Sequence, residues 1–321
     1  MRVLVTGMGG EVGTRVANLL ARDPRVDDIL GIDIDPPRRR IDRAEFARID
    51  PRDRRKLVRA VRDFEPNAVV HLGVYEPNAR FGPELAATLT RAMTIGALGA
   101  AADSPSLERI VVRSGVEVYG RARGAATRPD ESVEPRPTTP FGRSLLDVER
   151  VAQEVARSAD APLTAVRCAP IVGPHFSSPL GRLLRLPVVP IGALSDLPFS
   201  LVHHDDAAHA FTRSLDRAHD GALNVVGPGA VTPAQAARIG TRVVVPIVGP
   251  QWLAARALAE LLGAPLPPHV RELLVRGRTA DGARATEILG LDRCTPTRDI
   301  VQDLYDWMPV VYLRAAEADA P

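Results

Sequence analysis

"VTGMGGEVG", residues 5 to 13, decides how the rest of this 321-residue chain is read. It continues the apolar run "RVLVTG" and leads into "GTRVANLLARD", so a strand passes through a glycine turn into a helix. In that setting Gly7 makes the tight turn, Gly10 lets the backbone approach a pyrophosphate, and Gly13 allows close helix packing. Val12 holds the last place of the commoner GxGxxG, so the spacing is Gly7-x-x-Gly10-x-x-Gly13. Asp33 ends the next apolar run, 20 residues past Gly13, where a carboxylate accepts hydrogen bonds from an adenosine ribose. A turn residue in "DIDPP" is the plainer account of Asp33, but the glycine motif upstream favours the ribose. A carboxylate there repels a 2′-phosphate and so favours NAD over NADP, against the pull of Arg38, Arg39 and Arg40.

Outward from this motif, short β-branched runs alternate with helical stretches. The strands expected are residues 2–7, 28–34, 47–50, 68–73, 109–115 and 163–168, with helical windows such as 13–23 and 52–64 between them. Continuous apolar runs mark strands buried on both faces, so the fold class is α/β, a Rossmann-type doubly wound parallel sheet. After about residue 170 the chain turns irregular and proline-rich, and a smaller, interleaved C-terminal substrate domain is expected. The division is 1–170 plus about 198–227 for dinucleotide, about 171–197 and 228–311 for the smaller unit, and 312–321 as a tail. After the loop "RPDESVEPRPTTP", Thr139 is placed to cap a helix that starts at Pro140.

Composition narrows the classes. Apolar residues make up 45% and charged residues 25%, which argues against disorder, and a net charge of +2 gives no basic face for nucleic acid. Of 41 basic residues, Lys56 is the only lysine. Cys168 and Cys294 lie far apart, and "MRVLVTG" enters a strand at once, so a reduced, cytoplasmic protein without a leader is expected. The apolar window 243–264 is broken by Pro246, Pro250, Arg256 and Glu260, so it predicts a short amphipathic helix from about Pro250 to Leu262 rather than a membrane span.

With these motifs in place, the chain resembles the extended short-chain dehydrogenase/reductase superfamily, in particular the NAD-dependent epimerase/dehydratase family acting on nucleotide sugars. "VTGMGGEVG" is similar to the family's TGxxGxxG, "NAVVHLGV" to its strand ending HLAA, and "SGVEVYG" to its SSxxVYG. "VRCAPIVGP" resembles its RxxNxYGP and "LVHHDDAAHAF" its HVDD segment, so the likeness runs from residue 2 to about 306. The resemblance implies NAD as cofactor, lined by Gly7, Gly10, Glu11, Val12, Gly13, Asp33, Asp50, Leu72 and Gly73, with Asp50 at the adenine. It also implies a small-molecule ligand and, by analogy, a homodimer through the helix that starts near Phe141.

The resemblance breaks at the chemistry. It implies a Tyr-x-x-x-Lys pair on the helix after the long loop, and here Phe141 and Leu145 stand in those places. The implied serine is Gly115, beside Ser114, while Met93 and Pro170 replace two asparagines. None of Tyr75, Tyr119, Tyr305 and Tyr312 has a lysine four residues on, so no shift restores the pair. No catalytic residue is therefore assigned. The chain is expected to bind NAD and to be non-catalytic or catalytically atypical. The alternatives are an active oxidoreductase, epimerase or dehydratase with a nonstandard acid or base, and an assembly partner that has abandoned nucleotide.

Glu117, Tyr119 and Arg143 are the candidate replacements, each also explained by packing or solvation. His203, His204, Asp205, Asp206 and His209 suggest a metal, but a helix cap by Asp205 or Asp206 is the plainer account and no metal is expected. His175 is expected near the ligand cleft.

Overall fold

Alternate residues of the early strands feed two apolar layers, and that division builds the molecule. In β1 (Arg2–Thr6), Val3 and Val5 join one layer and Leu4 the other. The computed structural model describes residues 1–306 other than 38, 39, 79, 175, 177 and 218. The chain continues through α1 (Glu11–Ala21), β2 (Asp28–Asp33), β3 (Ala44–Arg48), α2 (Arg54–Phe64), β4 (Ala68–His71), α3 (Pro83–Ala101) and β5 (Arg109–Gly115). A 3-10 turn over Val116–Tyr119 and a long loop precede α4 (Pro140–Ala159), β6 (Leu163–Cys168) and β7 (Ile171–Val172). Then come α5 (Pro179–Leu184), β8 (Val188–Gly192), β9 (Val202–His203), α6 (His204–Asp216), β10 (Gly221–Val225), α7 (Pro233–Ile239) and β11 (Val243–Ile247). Four helices close the described chain: α8 (Gln251–Leu261), α9 (Pro268–Arg276), α10 (Ala283–Leu289) and α11 (Thr297–Asp306).

Seven strands form one sheet in the order β10-β6-β5-β4-β1-β2-β3, every neighbouring pair parallel. This is the doubly wound α/β arrangement that the runs of buried apolar residues predict. β1 lies between β2 and β4, so the chain leaves it first to one side and later to the other. That reversal opens a crevice at the carboxyl ends of β1 and β4. α1 and α6 cover one face, and α2, α3 and α4 the other.

Three local features differ from the sequence expectation. β3 covers 44–48 rather than 47–50, because β2 ends at Asp33, whose partner is Arg48, and past that pair only the Ile49 N–H reaches back, to the Asp33 carbonyl at 2.9 Å. The cap of α6 is His203, whose side chain accepts from the Asp205 N–H, rather than an aspartate. α10 returns to the large sheet, where Ala285 and Leu289 join the layer of β1 and α1. A third apolar cluster, with Leu183, Phe199, Ala236 and Leu274, gathers α5, α7, α9 and α11 around the pair β8 and β11. The apolar window 243–264 splits into β11 and α8, and no helix among the described residues is long and apolar enough to cross a membrane.

Candidate active site

Gly7 has φ +71°, a conformation that a side chain rarely adopts, and a β-carbon there would stand 2.6 Å from the Leu72 backbone. At Gly13 a β-carbon would meet the Gly7 carbonyl oxygen at 2.0 Å, so α1 packs directly on the turn. Gly10 differs: a β-carbon there would touch only the Gly7 oxygen, at 3.4 Å. Gly10 is also the N-cap of α1 with no side-chain cap, which leaves the first N–H groups of that helix free of helical acceptors. Val12 is buried beneath this end. The Glu11 carboxylate accepts from Arg15 at 2.8 Å, and Arg15 also reaches Asp205 at 2.6 Å.

Asp33 closes β2 beside this turn. Its carboxylate accepts the Ile34 N–H at 2.7 Å, the Gly9 N–H at 3.1 Å and the Tyr75 hydroxyl at 3.1 Å. Burial pushes its pKa up, and these three donors offset part of that rise. The neighbouring cation, Arg80, pairs with Asp35 instead. Leu72 and Gly73 follow β4, their N–H groups donating to the Thr6 carbonyl at 3.1 Å and the Thr6 hydroxyl at 3.2 Å. Met93 packs so close that a β-carbon on Gly73 would lie 2.5 Å from its Cγ. Asp50 lies past β3, and the hydrogen bond from Arg52 holds its carboxyl below the usual range. A dinucleotide fits these residues, because the uncapped helix end suits a pyrophosphate and Asp33, which has no ion-pair partner among the described residues, offers a carboxylate at the next strand end. Arg38 and Arg39, which argue for NADP on sequence, lie outside the described residues, as does His175.

On the far side of the crevice, Thr139 caps α4 by accepting the Gly142 N–H at 3.2 Å. Phe141, Leu145 and Glu149 then fall on one buried face, four residues apart. Ser114 turns to this helix and donates to Glu149 at 2.5 Å. Glu149 takes Arg167 through two bonds of 2.8 and 2.7 Å, Arg167 donates to the Tyr119 oxygen at 2.9 Å, and Tyr119 donates to Asn224 at 2.8 Å. Ser114 and Tyr119 are thus committed to a closed polar network, and burial raises the Tyr119 pKa even against Arg167. The Tyr119 hydroxyl, a candidate replacement phenol on sequence, is engaged by Arg167 and Asn224, and Arg143 is exposed on the outer face of α4.

Glu117 is placed differently. Its Oε1 accepts from Arg278 at 3.1 Å, while its Oε2 occupies the space beside Gly115 that a serine side chain would need. Arg278 also reaches Glu272 at 2.6 Å. Nearby, the His269 ring lies 4.7 Å from the Phe141 ring, centroid to centroid, with its Nε2 3.0 Å from Glu76 Oε1. A cavity of about 30 Å³ sits among Glu76, Glu117, Phe141, Leu145, His269 and Arg278, room for about one water. Cys168 also lines it, but burial pushes that thiol up to about 12, which keeps it a neutral thiol rather than a nucleophile.

Sequence reasoning missed Glu76, Glu149, His269 and Arg278. Glu149 carried a signal, since it follows Leu145 by one helical turn on a stripe that is otherwise apolar. The other three reach the site across long stretches of chain, with no local pattern to join them. The atoms of His203, His204 and Asp205 lie within 4.8 Å of one another, but Arg15 already supplies the positive charge on Asp205. His209 is exposed and outside this trio, and Asp206 accepts the Thr295 N–H at 2.8 Å.

Known proteins are similar to this chain. An uncharacterised protein of Mycobacterium tuberculosis (strain H37Rv) is 30% identical over 257 residues, covering 77% of this chain and 68% of that protein. Two solved structures share the fold. UDP-glucose 4-epimerase of Thermotoga maritima, with UDP-glucose, has a TM-score of 0.72 at 19% identity over 96% of this chain and 98% of that one. UDP-glucuronic acid 4-epimerase of Bacillus cereus, in complex with UDP-glucuronic acid and NAD, has a TM-score of 0.72 at 17% identity over 96% and 98%. Residues 3–227 match the sequence profile described as NAD dependent epimerase/dehydratase family, and this chain, with its glycine turn and its acidic second strand end, belongs to that family.

Proposed function

We propose that this chain binds NAD in the crevice at the carboxyl ends of β1 and β4 and does not run the family's tyrosine-and-lysine chemistry. In this reading the α1 end, from Gly7 to Gly13, holds the pyrophosphate, Asp33 the adenosine ribose and Asp50 the adenine edge, with Leu72 and Gly73 lining the far wall. A carboxylate has about four acceptor positions, and three on Asp33 are used, so one ribose hydroxyl finds a free place and a second displaces Tyr75. Bound NAD supplies a two-electron acceptor. The ligand class is a nucleotide sugar or another hydroxylated small molecule, as the UDP sugars held by the solved relatives suggest.

One observation carries the reading: Glu117 Oε2 fills the place of the missing serine side chain, in a cavity that Leu145 and Phe141 also line. The site has been rebuilt with other ionisable groups rather than lined with apolar ones, which favours atypical catalysis over an inert scaffold. The smaller unit, about 171–197 and 228–311, would supply the ligand wall, since His269 and Arg278 come from it. A homodimer through the outer face of α3 and α4 is part of the proposal and is tested by light scattering. For the cofactor, the test is to denature the purified protein, identify any released nucleotide by mass spectrometry, and titrate the apo fraction with NAD⁺. Released or bound NAD supports the reading, whereas NADP or a flavin in its place, or no binding at millimolar NAD⁺, overturns it.

A further inference from the structure

Two residues that line the cavity beside Phe141 each carry a buried polar atom that nothing above has used. His269 Nδ1 and Arg278 Nε have no hydrogen-bond partner among the described residues, although both side chains are buried. An orphaned polar atom of this kind costs about 1–3 kcal/mol, so a protein retains one where something else completes it. The rest of each side chain is tightly held. His269 Nε2 faces Glu76 at 3.0 Å, and an ionised carboxylate can only accept, so Nε2 carries the ring proton. Nδ1 is then left with its lone pair. Arg278 is fixed by Glu117 and Glu272, which leaves its Nε–H as a fixed donor.

We propose that His269 is the proton carrier of this site, its Nδ1 taking the proton of a ligand hydroxyl, with Arg278 Nε–H facing the same oxygen. The imidazole lies on the ring of Phe141, the residue that stands in the place of the missing phenol. A cavity of about 30 Å³ accepts one hydroxyl group, and Phe141, Leu145, Val270 and Leu273 form the apolar part of its walls. In the step, the ligand O–H bond breaks, its proton joins Nδ1 to give imidazolium beside the Glu76 carboxylate, and the oxygen keeps the electron pair. The Arg278 donor stabilises the charge on that oxygen. Oxidation of the carbinol carbon also breaks its C–H bond, and that hydrogen with its electron pair would pass to a two-electron acceptor, a nicotinamide dinucleotide, leaving a carbonyl. Glu76 acts as a positioning residue that fixes the tautomer.

The inference rests on the proposed NAD binding, and its test separates the two. NAD-loaded protein is offered UDP-glucose and UDP-glucuronic acid in turn, with product analysis and nicotinamide absorbance as readouts. Calorimetry of NAD⁺ and thermal melting run alongside. His269→Gln should bind NAD⁺ as the parent does and lose about 10²- to 10⁴-fold in kcat. Glu76→Gln should move the acid limb of the pH profile downward, read against the unchanged Glu117, Glu272, Arg113 and Arg278. The imidazole nitrogen signals of His269 in labelled protein should shift when either probe is added. If His269→Gln does not fold, the Glu76→Gln profile and the imidazole signal decide. Equal turnover in parent and His269→Gln, or no turnover together with unmoved His269 signals, overturns the inference. Loss of NAD⁺ binding by the parent instead overturns the cofactor reading.

Discussion

Glu117 folds back so that its Oε2 stands 2.4 Å from the point where a β-carbon on Gly115 would lie. The other oxygen of the same carboxylate is held by buried Arg278, so the group cannot swing aside without breaking that pair. Gly115→Ser, which would restore the side chain that the family resemblance implies, is therefore expected to destabilise the protein by about 1–3 kcal/mol through overpacking. Urea midpoints of the two proteins check this. A variant as stable as the parent would mean that Glu117 is freely displaced.

The Glu149–Arg167 pair is two-pronged and almost sealed from solvent. Glu149→Ala would leave the guanidinium buried without its anion and would release Ser114 and Tyr119 from their network. The expected loss is about 3–5 kcal/mol in urea unfolding. A loss under about 1 kcal/mol would place Arg167 in contact with water.

His71 sits between Thr6 Oγ1 at 2.8 Å and Thr94 Oγ1 at 3.0 Å, and burial pushes its pKa down to about 3 from 6.5. The folded state keeps it neutral while the unfolded chain protonates it. Its contribution is thus complete above the unfolded pKa of 6.5 and is lost as pH falls toward about 3. The expected slope in that window is about 1.4 kcal/mol per pH unit. Urea unfolding at about pH 5 and about pH 7 measures it. His71→Gln should flatten this part of the slope, and an unchanged slope would assign it to other groups.

How much of this was legible beforehand follows from the range of each interaction. Gly7, Gly13 and Asp33 act within one βαβ unit, so spacing alone located the crevice and the sheet around it. The helix cap at Thr139 is equally local. Phe141 and Leu145 were visible as departures from a pattern. What replaces them was not, because Glu117 points backward over Gly115 and because Arg278 and His269 come from elements more than a hundred residues away. Tyr119 looked available on sequence, and only the distance to Arg167 and Asn224 shows that its hydroxyl is committed.

Calorimetric titration of NAD⁺ into the parent protein and Asp33→Ala, with NADP⁺ as the competing nucleotide, tests the central claim of an intact dinucleotide cradle beside a rebuilt reaction site. Loss of charge-assisted hydrogen bonds to the ribose should weaken NAD⁺ by about 10- to 100-fold in Asp33→Ala, with the parent preferring NAD⁺ to NADP⁺. Equal NAD⁺ affinity in the two proteins, or a parent that prefers NADP⁺, would contradict it.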